Sequence, residues 1–410
     1  MTDLLVPGDE RAGSVFSDGS ILAALVRVEQ AWLDALAAAS VAPGTADLLA
    51  LVGPHDAATI AGQAEAGGNP VIPMVSLLRQ RLAAAPAARW LHRGLTSQDV
   101  MDSALVLCLR DAVGSVLDDV RRQVRALARL ATVCRSDIQA ARTLTQHAVP
   151  TTFGAVTGGW LHGILDAAED LTAATRALPV QVGGAAGTLA APAELAGGAE
   201  AARALAADLA RRLGLQPSPP WHTRRRPLTR VADALVACTD SWGKVATDVL
   251  LRARPEVAEL AEQQSTGRGG SSTLPHKHNP VLAVLVQRTA LAALTYAAQL
   301  HLASASAADE RPAGAWHAEW PALRALARSA TAAASLTAEL IEGLTVDTGR
   351  MRATAEAAQE DLLAEQASVR ALLGKPADRD LDAYVGAAPL LADEAAERAA
   401  AWLDPLEANA

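Results

Sequence analysis

The chain has 410 residues, half of them hydrophobic and only 3% aromatic, with a net charge of −9. That length leaves room for two or three domains of ordinary size and a large core. The acidic balance argues against a nucleic-acid binder, which shows a basic face. Cys108, Cys134 and Cys238 are far apart and lie in apolar helical contexts. They exclude a disulfide or zinc framework and read as small buried thiols in a reducing compartment. The first residues, MTDLLVPGDE, have no basic n-region and no apolar h-region, so no signal peptide is expected. No apolar run reaches the roughly 18 residues that span a bilayer. The expectation is a soluble, cytoplasmic, mostly helical protein without membrane contact. Alanine, leucine, arginine and glutamate dominate and favour helix.

In chain order, Ser17, Asp18 and Ser20 offer N-caps for a helix reaching about Ala39. Leu22, Leu25, Val28, Trp32 and Leu36 recur along it at helical spacing. Glu29 on this helix reads as a surface or interhelix charge. Gly67 to Pro70 is a turn, and Pro73 can start the next helix, to Ala85. Then Gly94 permits a turn, and Thr96, Ser97, Gln98 and Asp99 pile polar groups at a helix start. Two readings stand there. One is a helix cap, with Thr96 or Ser97 capping and Asp99 favoured by the dipole. The other is an anion site of first-turn N–H groups and hydroxyls.

From Leu105 to Leu130 an apolar seam runs at steps of three and four, as in a bundle helix. Further long helical segments are predicted at Thr152–Ala177, Ala193–Leu213, Leu228–Glu262, Val281–His301 and Ala318–Gly343. Strand signals are nearly absent. Several helices lack a fully polar side, which implies burial on more than one side and packing against copies of the chain. Between the first two bundle helices, Arg142, Thr143, Gln146 and His147 precede Pro150. They form either a polar turn with a threonine cap or a functional cluster. Arg224–Arg226 follow a proline-rich linker and are either a solvated surface or a site for a polyanion. Trp316 and Trp320 sit four apart on a helix and pack in the core or an interface. Arg311 and His317 lie in the same polar block.

The central stretch is Thr266 to Pro280, TGRGGSSTLPHKHNP, between two long helical segments. Gly267, Gly269 and Gly270 give a mobile backbone that can approach a ligand. Ser271 and Ser272 supply hydroxyls, Lys277 a cation and Asn279 an amide. A loop so equipped has the make-up of an active-site lid.

This loop resembles the GSSxMPxKxNP motif of the fumarase/aspartase superfamily, with Leu274 where methionine is usual. Residues 92–102 resemble the superfamily's HxGxTSxDxxD region, and residues 142–154 its RTHxQxAxPxTxG region, with Leu144 where many members have histidine. The resemblance covers about Phe16 to Arg350. Within the superfamily it is greatest to the bacterial 3-carboxy-cis,cis-muconate cycloisomerases, through Gly68–Pro73, Gly183–Ala190, Pro220–Thr223 and Asp309–Trp320.

The resemblance implies an all-α, three-domain fold with a central long-helix bundle. Its parts are an N-terminal helical domain at 1–104, a bundle with the catalytic loop 266–280 at 105–345, and a small C-terminal domain at 346–410. It also implies a homotetramer with shared active sites, a small polycarboxylate substrate, and neither cofactor nor metal. Ser271 is then the acid or base, with Ser272 beside it, and Lys277 and His147 complete the catalytic set. His92, Thr96, Ser97, Gln98, Thr143, Gln146, Arg225, Asn279 and Arg311 are the substrate-binding candidates. Expelling an amine needs a general acid, usually histidine. A carboxylate leaves unprotonated, so Leu144 fits lactonisation of 3-carboxy-cis,cis-muconate. It fits nitrite loss from a nitrosuccinate as well. His147 or His92 as donor keeps the adenylosuccinate-type lyases as the alternative.

Overall fold

The alanine- and leucine-rich segments fold as helices in the computed structural model, which describes residues 4–82, 85–265 and 267–407. In chain order they are α1 (Asp18–Ala38), α2 (Ala57–Gln63), α3 (Val71–Leu82), α4 (Ser97–Val133), α5 (Phe153–Arg176), α6 (Ala190–Ala196) and α7 (Ala199–Leu213). There follow α8 (Arg226–Arg252), α9 (Val281–Ala305), α10 (Gly314–Glu342), α11 (Thr348–Ala357), α12 (Gln359–Leu362), α13 (Ala364–Leu372) and α14 (Ala388–Glu407). The fold class is all-α, as expected. Met1–Asp3, Ala83 and Ala84 in the helix expected to reach Ala85, the loop's Thr266, and Ala408–Ala410 lie outside the described residues.

The chain divides into two compact units, one of residues 1–115, 170–236 and 293–332, the other of 116–169, 237–292 and 333–410. The divisions fall within α4, α5, α8, α9 and α10.

In the first unit, Ser17 caps α1 by accepting from Ser20 N–H over 3.2 Å. The buried stripe Leu22, Leu25, Val28, Trp32 and Leu36 is the one the spacing predicts. Trp32 donates from its indole to Arg93 O over 2.7 Å, which fixes α1 to the segment before α4. Helix α3 starts at Val71, two residues before Pro73, because Asn69 Oδ1 accepts the Val71 N–H at 3.1 Å. The predicted helix Ala193–Leu213 is broken into α6 and α7 at Gly197 and Gly198, whose φ angles are 82° and 150°. Trp316 and Trp320 stack edge to face with centroids 4.7 Å apart.

In the second unit, Gln123 of α4 joins three helices. It accepts from the Trp242 indole of α8 at 2.8 Å and donates to Ala334 O of α10 at 2.8 Å. Gly243 lets α8 approach α9, since a Cβ there would stand 2.6 Å from that of Ala290. The segment Leu228–Glu262, expected as one helix, ends at Arg252 and continues as a turn and a short strand. Cys108, Cys134 and Cys238 are buried and unbridged, and burial pushes the Cys108 thiol up to about 12.

Two antiparallel strand pairs correct the near absence of strand expected. β1 (Ile138–Thr143) pairs with β2 (Gln146–Thr152), and β3 (Leu260–Glu262) with β4 (Leu344–Val346). Thr143 and Gln146 close the first hairpin over a two-residue turn in which Leu144 and Thr145 have φ of 49° and 71°. Both angles belong to the primed turns that suit strand twist. Ile138 and Ala140 of β1 are buried against Ala355, Leu362, Leu363 and Leu381. This packing decides the conformation of a segment that reads as a polar turn.

One more expectation needs correction. Helix α9 is long and apolar enough to cross a membrane by length and composition. Leu291, Leu294 and Leu302 on it are exposed in the single chain.

Candidate active site

In the first unit the site is built at the start of α4. Gly94 takes φ 90°, turning the chain into Thr96, and Asp99 Oδ2 accepts the Thr96 N–H at 2.9 Å. The capping carboxylate is thus that of Asp99, where the sequence pointed to the Thr96 or Ser97 hydroxyl. Asp99 does more than answer the dipole. It is fully buried and also accepts from Gly183 N, Gly184 N, Gln181 Nε2 and His222 Nε2 at 2.8 to 3.2 Å. The glycine-rich turn and the Trp221–His222 segment are thereby held against the first turn of α4. Gly183 has no room for a side chain, since a Cβ would fall 2.6 Å from His222 Cε1.

One turn on, Asp102 meets Arg225. Arg225 Nη1 and Nη2 donate to Asp102 over 2.7 and 2.9 Å, while Nε and Nη2 donate to Glu319 over 2.6 to 3.1 Å. The Trp316 indole adds a donor to Asp102 at 2.9 Å, and the guanidinium lies 4.9 Å from the Trp221 ring centroid. Burial, opposed by Arg225, holds the Glu319 carboxyl above its ordinary range. Arg225 was expected among the substrate contacts. It is sealed in the interior with every guanidinium nitrogen engaged by the protein, while Arg224 and Arg226 on either side are exposed. Gln98 is likewise fully buried, donating to Asp102 at 3.1 Å and to His222 O at 3.0 Å. Neither side chain has surface to offer a ligand.

Thr96, Ser97, His92 and Arg311 are partly exposed. Arg311 Nη1 donates to Thr96 Oγ1 at 2.6 Å. His92 has φ 60° and is held by Glu29, whose two carboxylate oxygens accept the His92 N–H at 3.1 Å and meet Nδ1 at 2.6 Å. Glu29 is thus the interhelix charge, wholly buried.

In the second unit, the loop's ends are clasped by Asn279, which donates from N and from Nδ2 to Gly269 O at 2.8 and 3.1 Å. Only glycine fits at 269, where φ is 73° and a Cβ would stand 2.6 Å from Asn279 O. The Arg268–Glu339 ion pair, at 2.5 Å, anchors the loop's approach, and Glu262 caps α9 by accepting from Leu282 and Ala283 N–H. Burial holds the Glu262 carboxyl above its usual range in spite of those donors. Ser271 Oγ accepts from Leu274 N–H at 3.1 Å and Thr273 N–H at 3.4 Å. Donors aimed at a hydroxyl oxygen favour its deprotonated form. Ser272 and Lys277 are exposed on the loop.

Thr143, Gln146 and His147 share the exposed tip of the β1–β2 hairpin, and Leu144 at its turn is 96% exposed. Arg142, paired with His147 one step from the turn, forms a bidentate pair with the fully buried Glu259 at 2.6 and 2.9 Å.

The structure thus groups Thr96, Gln98 and Arg311 in one unit. In the other it groups Ser271 with Asn279, and Thr143 with Gln146 and His147. Asp102, His222 and Glu319 lie in the stretches that carry the resemblance, at residues 92–102, 220–223 and 309–320, but the sequence assigned none of them a role. Among the described residues, no group of His, Cys, Asp and Glu side chains is arranged to hold a metal ion.

A family model described as Lyase matches residues 56–293. The chain belongs to that family, within the fumarase/aspartase superfamily. It is 42% identical over 376 residues to a nitrosuccinate lyase of Streptomyces davaonensis, covering 89% of this chain and 79% of that one. It is 39% identical over 364 residues to a 3-carboxy-cis,cis-muconate cycloisomerase of Bradyrhizobium diazoefficiens, covering 85% and 77%. The solved 3-carboxy-cis,cis-muconate lactonizing enzyme of Pseudomonas putida superposes with a TM-score of 0.85 at 29% identity, covering 95% of this chain and 96% of that one.

Proposed function

We propose that this lyase-superfamily enzyme lactonises 3-carboxy-cis,cis-muconate to 4-carboxymuconolactone, as in aromatic catabolism through β-ketoadipate. The observation that carries the reading is Leu144. The hairpin tip displays an apolar side chain where a general acid stands in many superfamily members, so the group added or expelled is one that needs no proton. A carboxylate meets that condition. In the lactonising direction, a substrate carboxylate oxygen adds to the diene and the resulting aci-carboxylate takes a proton at its α-carbon. Ser271 gives that proton, and in reverse removes it, with the loop N–H groups supporting its alkoxide. Ser272 neighbours it, and Lys277 and Asn279 hold the developing charge. His147 stands by as a further proton carrier.

Thr96, Ser97, His92 and Arg311 bind one substrate carboxylate, and Thr143 and Gln146 another. Gln98 and Arg225 act through these residues, as positioning groups. The same reading includes a cytoplasmic homotetramer that draws each site from several copies, with no added cofactor. It retains the three-part division at 1–104, 105–345 and 346–410.

A second reading is favoured by the 42% identity to a nitrosuccinate lyase. Nitrite, like carboxylate, departs unprotonated, and the product is then fumarate. One assay separates the two. The purified protein is given 3-carboxy-cis,cis-muconate, nitrosuccinate or adenylosuccinate in parallel, without metal or nucleotide. Loss of conjugated-diene absorbance with the muconate supports the first reading. Fumarate with nitrite from nitrosuccinate alone replaces it with the second. Turnover of adenylosuccinate alone overturns the argument from Leu144.

A further inference from the structure

The second unit contains a cavity of about 530 Å³ behind the β1–β2 hairpin, between it and the C-terminal half of α8. It is lined by Arg142, Lys244, Arg252 and Arg254, with Asp248 as the acidic member. Arg142 and Arg252 both turn to Glu259, at 2.6 and 3.4 Å, and Glu259 is wholly buried. Lys244 is matched to Asp248 at 2.5 Å. Asp248 is also held by the Trp160 indole at 2.8 Å. Four cations therefore share two carboxylates, leaving two positive charges in excess within a chain whose net charge is −9. Arg142 and Arg252 keep 23% and 13% of their side chains exposed, so each can reach an occupant without leaving Glu259.

Such a concentration of like charge is costly in a partly buried place. Burial pulls the Arg252 guanidinium below its ordinary basicity; Arg142 adds to that and Glu259 opposes it. A dianion would relieve the repulsion. The volume suits a small organic molecule, since ligand cavities run from about 300 to 1,000 Å³. Two guanidinium forks are the donors that match carboxylate and phosphate oxygens. The hydroxyls of Thr145 and Thr151 line the same space.

We infer that this cavity is a binding site for a small organic dianion, a dicarboxylate or a phosphate monoester, separate from the loop that carries Ser271. Arg142, Thr145 and Thr151 belong to the hairpin whose tip carries Thr143, Gln146 and His147. An anion held there ties the hairpin, through Arg142 beside its turn and Thr145 within it, to α8 and so steadies its tip. This part rests on the proposed function only in what the tip does, and binding can be tested without turnover.

The test is calorimetric titration of the intact protein with succinate and with inorganic phosphate. The same titrations are made on the Lys244→Ala/Arg254→Ala double variant and on Arg311→Ala. Both replaced cavity residues are exposed, and circular dichroism and melting temperature check that the variants fold. The expected result is saturable binding of at least one probe that weakens about tenfold in the double variant, in line with lost charge-assisted contacts, and is retained in Arg311→Ala. Phosphate alone binding assigns phosphate monoesters, and succinate alone assigns dicarboxylates. Hydrogen exchange across residues 142–152 should slow when the probe is bound. No saturation by about 10 mM of either probe overturns the site, as does binding untouched by the double substitution. Should the double variant fail to fold, Arg254→Gln alone is titrated: weakened binding supports the site, and unchanged binding overturns it.

Discussion

Arg311 Nη1 lies 2.6 Å from the Thr96 hydroxyl oxygen, and its Nε 3.5 Å from the amide oxygen of Gln98. The Gln98 amide has no freedom to choose another orientation, because its nitrogen donates to both Asp102 and His222 O. Its oxygen is left to face Arg311. Thr96 accepts from Arg311 and keeps its own proton to give. A carboxylate arriving at this corner would meet a guanidinium, a hydroxyl donor and the first turn of α4. Arg311→Lys is expected to raise KM about tenfold with a smaller change in kcat, since the fork is lost while the charge remains. Arg311→Ala should lower kcat/KM about 100-fold. Steady-state kinetics on the substrate found by the parallel assay checks both, and an unchanged KM in each variant would remove Arg311 from the site.

Arg225 answers two buried carboxylates with one guanidinium. Arg225→Met is expected to destabilise the fold by about 3–5 kcal/mol, because Asp102 and Glu319 are left buried without their partner. Urea unfolding measures this. Adding Asp102→Asn and Glu319→Gln should recover part of the loss. A midpoint unmoved by Arg225→Met would mean that the carboxylates are protonated or hydrated in the native protein.

Acid stability depends on Asp56. Its hydrogen bonds to Arg81, at 2.7 and 2.8 Å, and to Gly53 N–H hold its carboxyl at about 2, below its ordinary 3.8. A depressed carboxyl stabilises the folded state above the unfolded value, and the contribution disappears as pH falls from 3.8 towards about 2. Arg81 is a third exposed, so the effect should be no more than about 1 kcal/mol after screening. Asp56→Asn is expected to flatten this limb of the unfolding profile and leave the slope at neutral pH unchanged. An identical acid limb in the variant would place the titrating group elsewhere.

Ser271→Ala should reduce kcat by at least about 1,000-fold if the hydroxyl carries the proton, while Ser272→Ala falls far less. Comparable losses in both would leave the choice of serine open to the neighbour. Full activity in Ser271→Ala would end the serine mechanism.

Gly269→Ala tests the clasp that closes the loop. The added methyl would meet Asn279 O, and φ of 73° disfavours any side chain there. Faster proteolysis between residues 267 and 280 is expected, together with loss of any protection that substrate gives. Unchanged cleavage would show that the loop closes without Asn279.

The long helices were legible because their apolar spacing recurs over many turns, as in the seam from Leu105 to Leu130. The ends were less so. Helix α8 stops at Arg252 where the periodicity continues, and the chain passes through a turn into β3 at Leu260, paired with β4. The β1–β2 hairpin was illegible for a different reason. Its residues alternate poorly, and the contacts that make it a strand pair come from Ala355, Leu362 and Leu381, more than 200 positions away. The loop at Ser271 was legible in composition alone. Arg225 was not, because three successive arginines look equally solvated and only the fold buries the middle one. The same holds for Glu29, whose partner His92 is 63 residues distant.

The two residues at the hairpin's turn have a practical meaning. Positive φ at both positions is the natural setting for Asn-Gly, and Leu144 with the β-branched Thr145 is an awkward pair to fit there. A leucine and a threonine in this backbone forgo about 1 kcal/mol or more each. Protein engineering therefore has a ready handle: Leu144→Asn with Thr145→Gly should give a hardier molecule at one stroke. The turn thus holds a reserve of stability that the natural sequence leaves unused, as natural sequences commonly do.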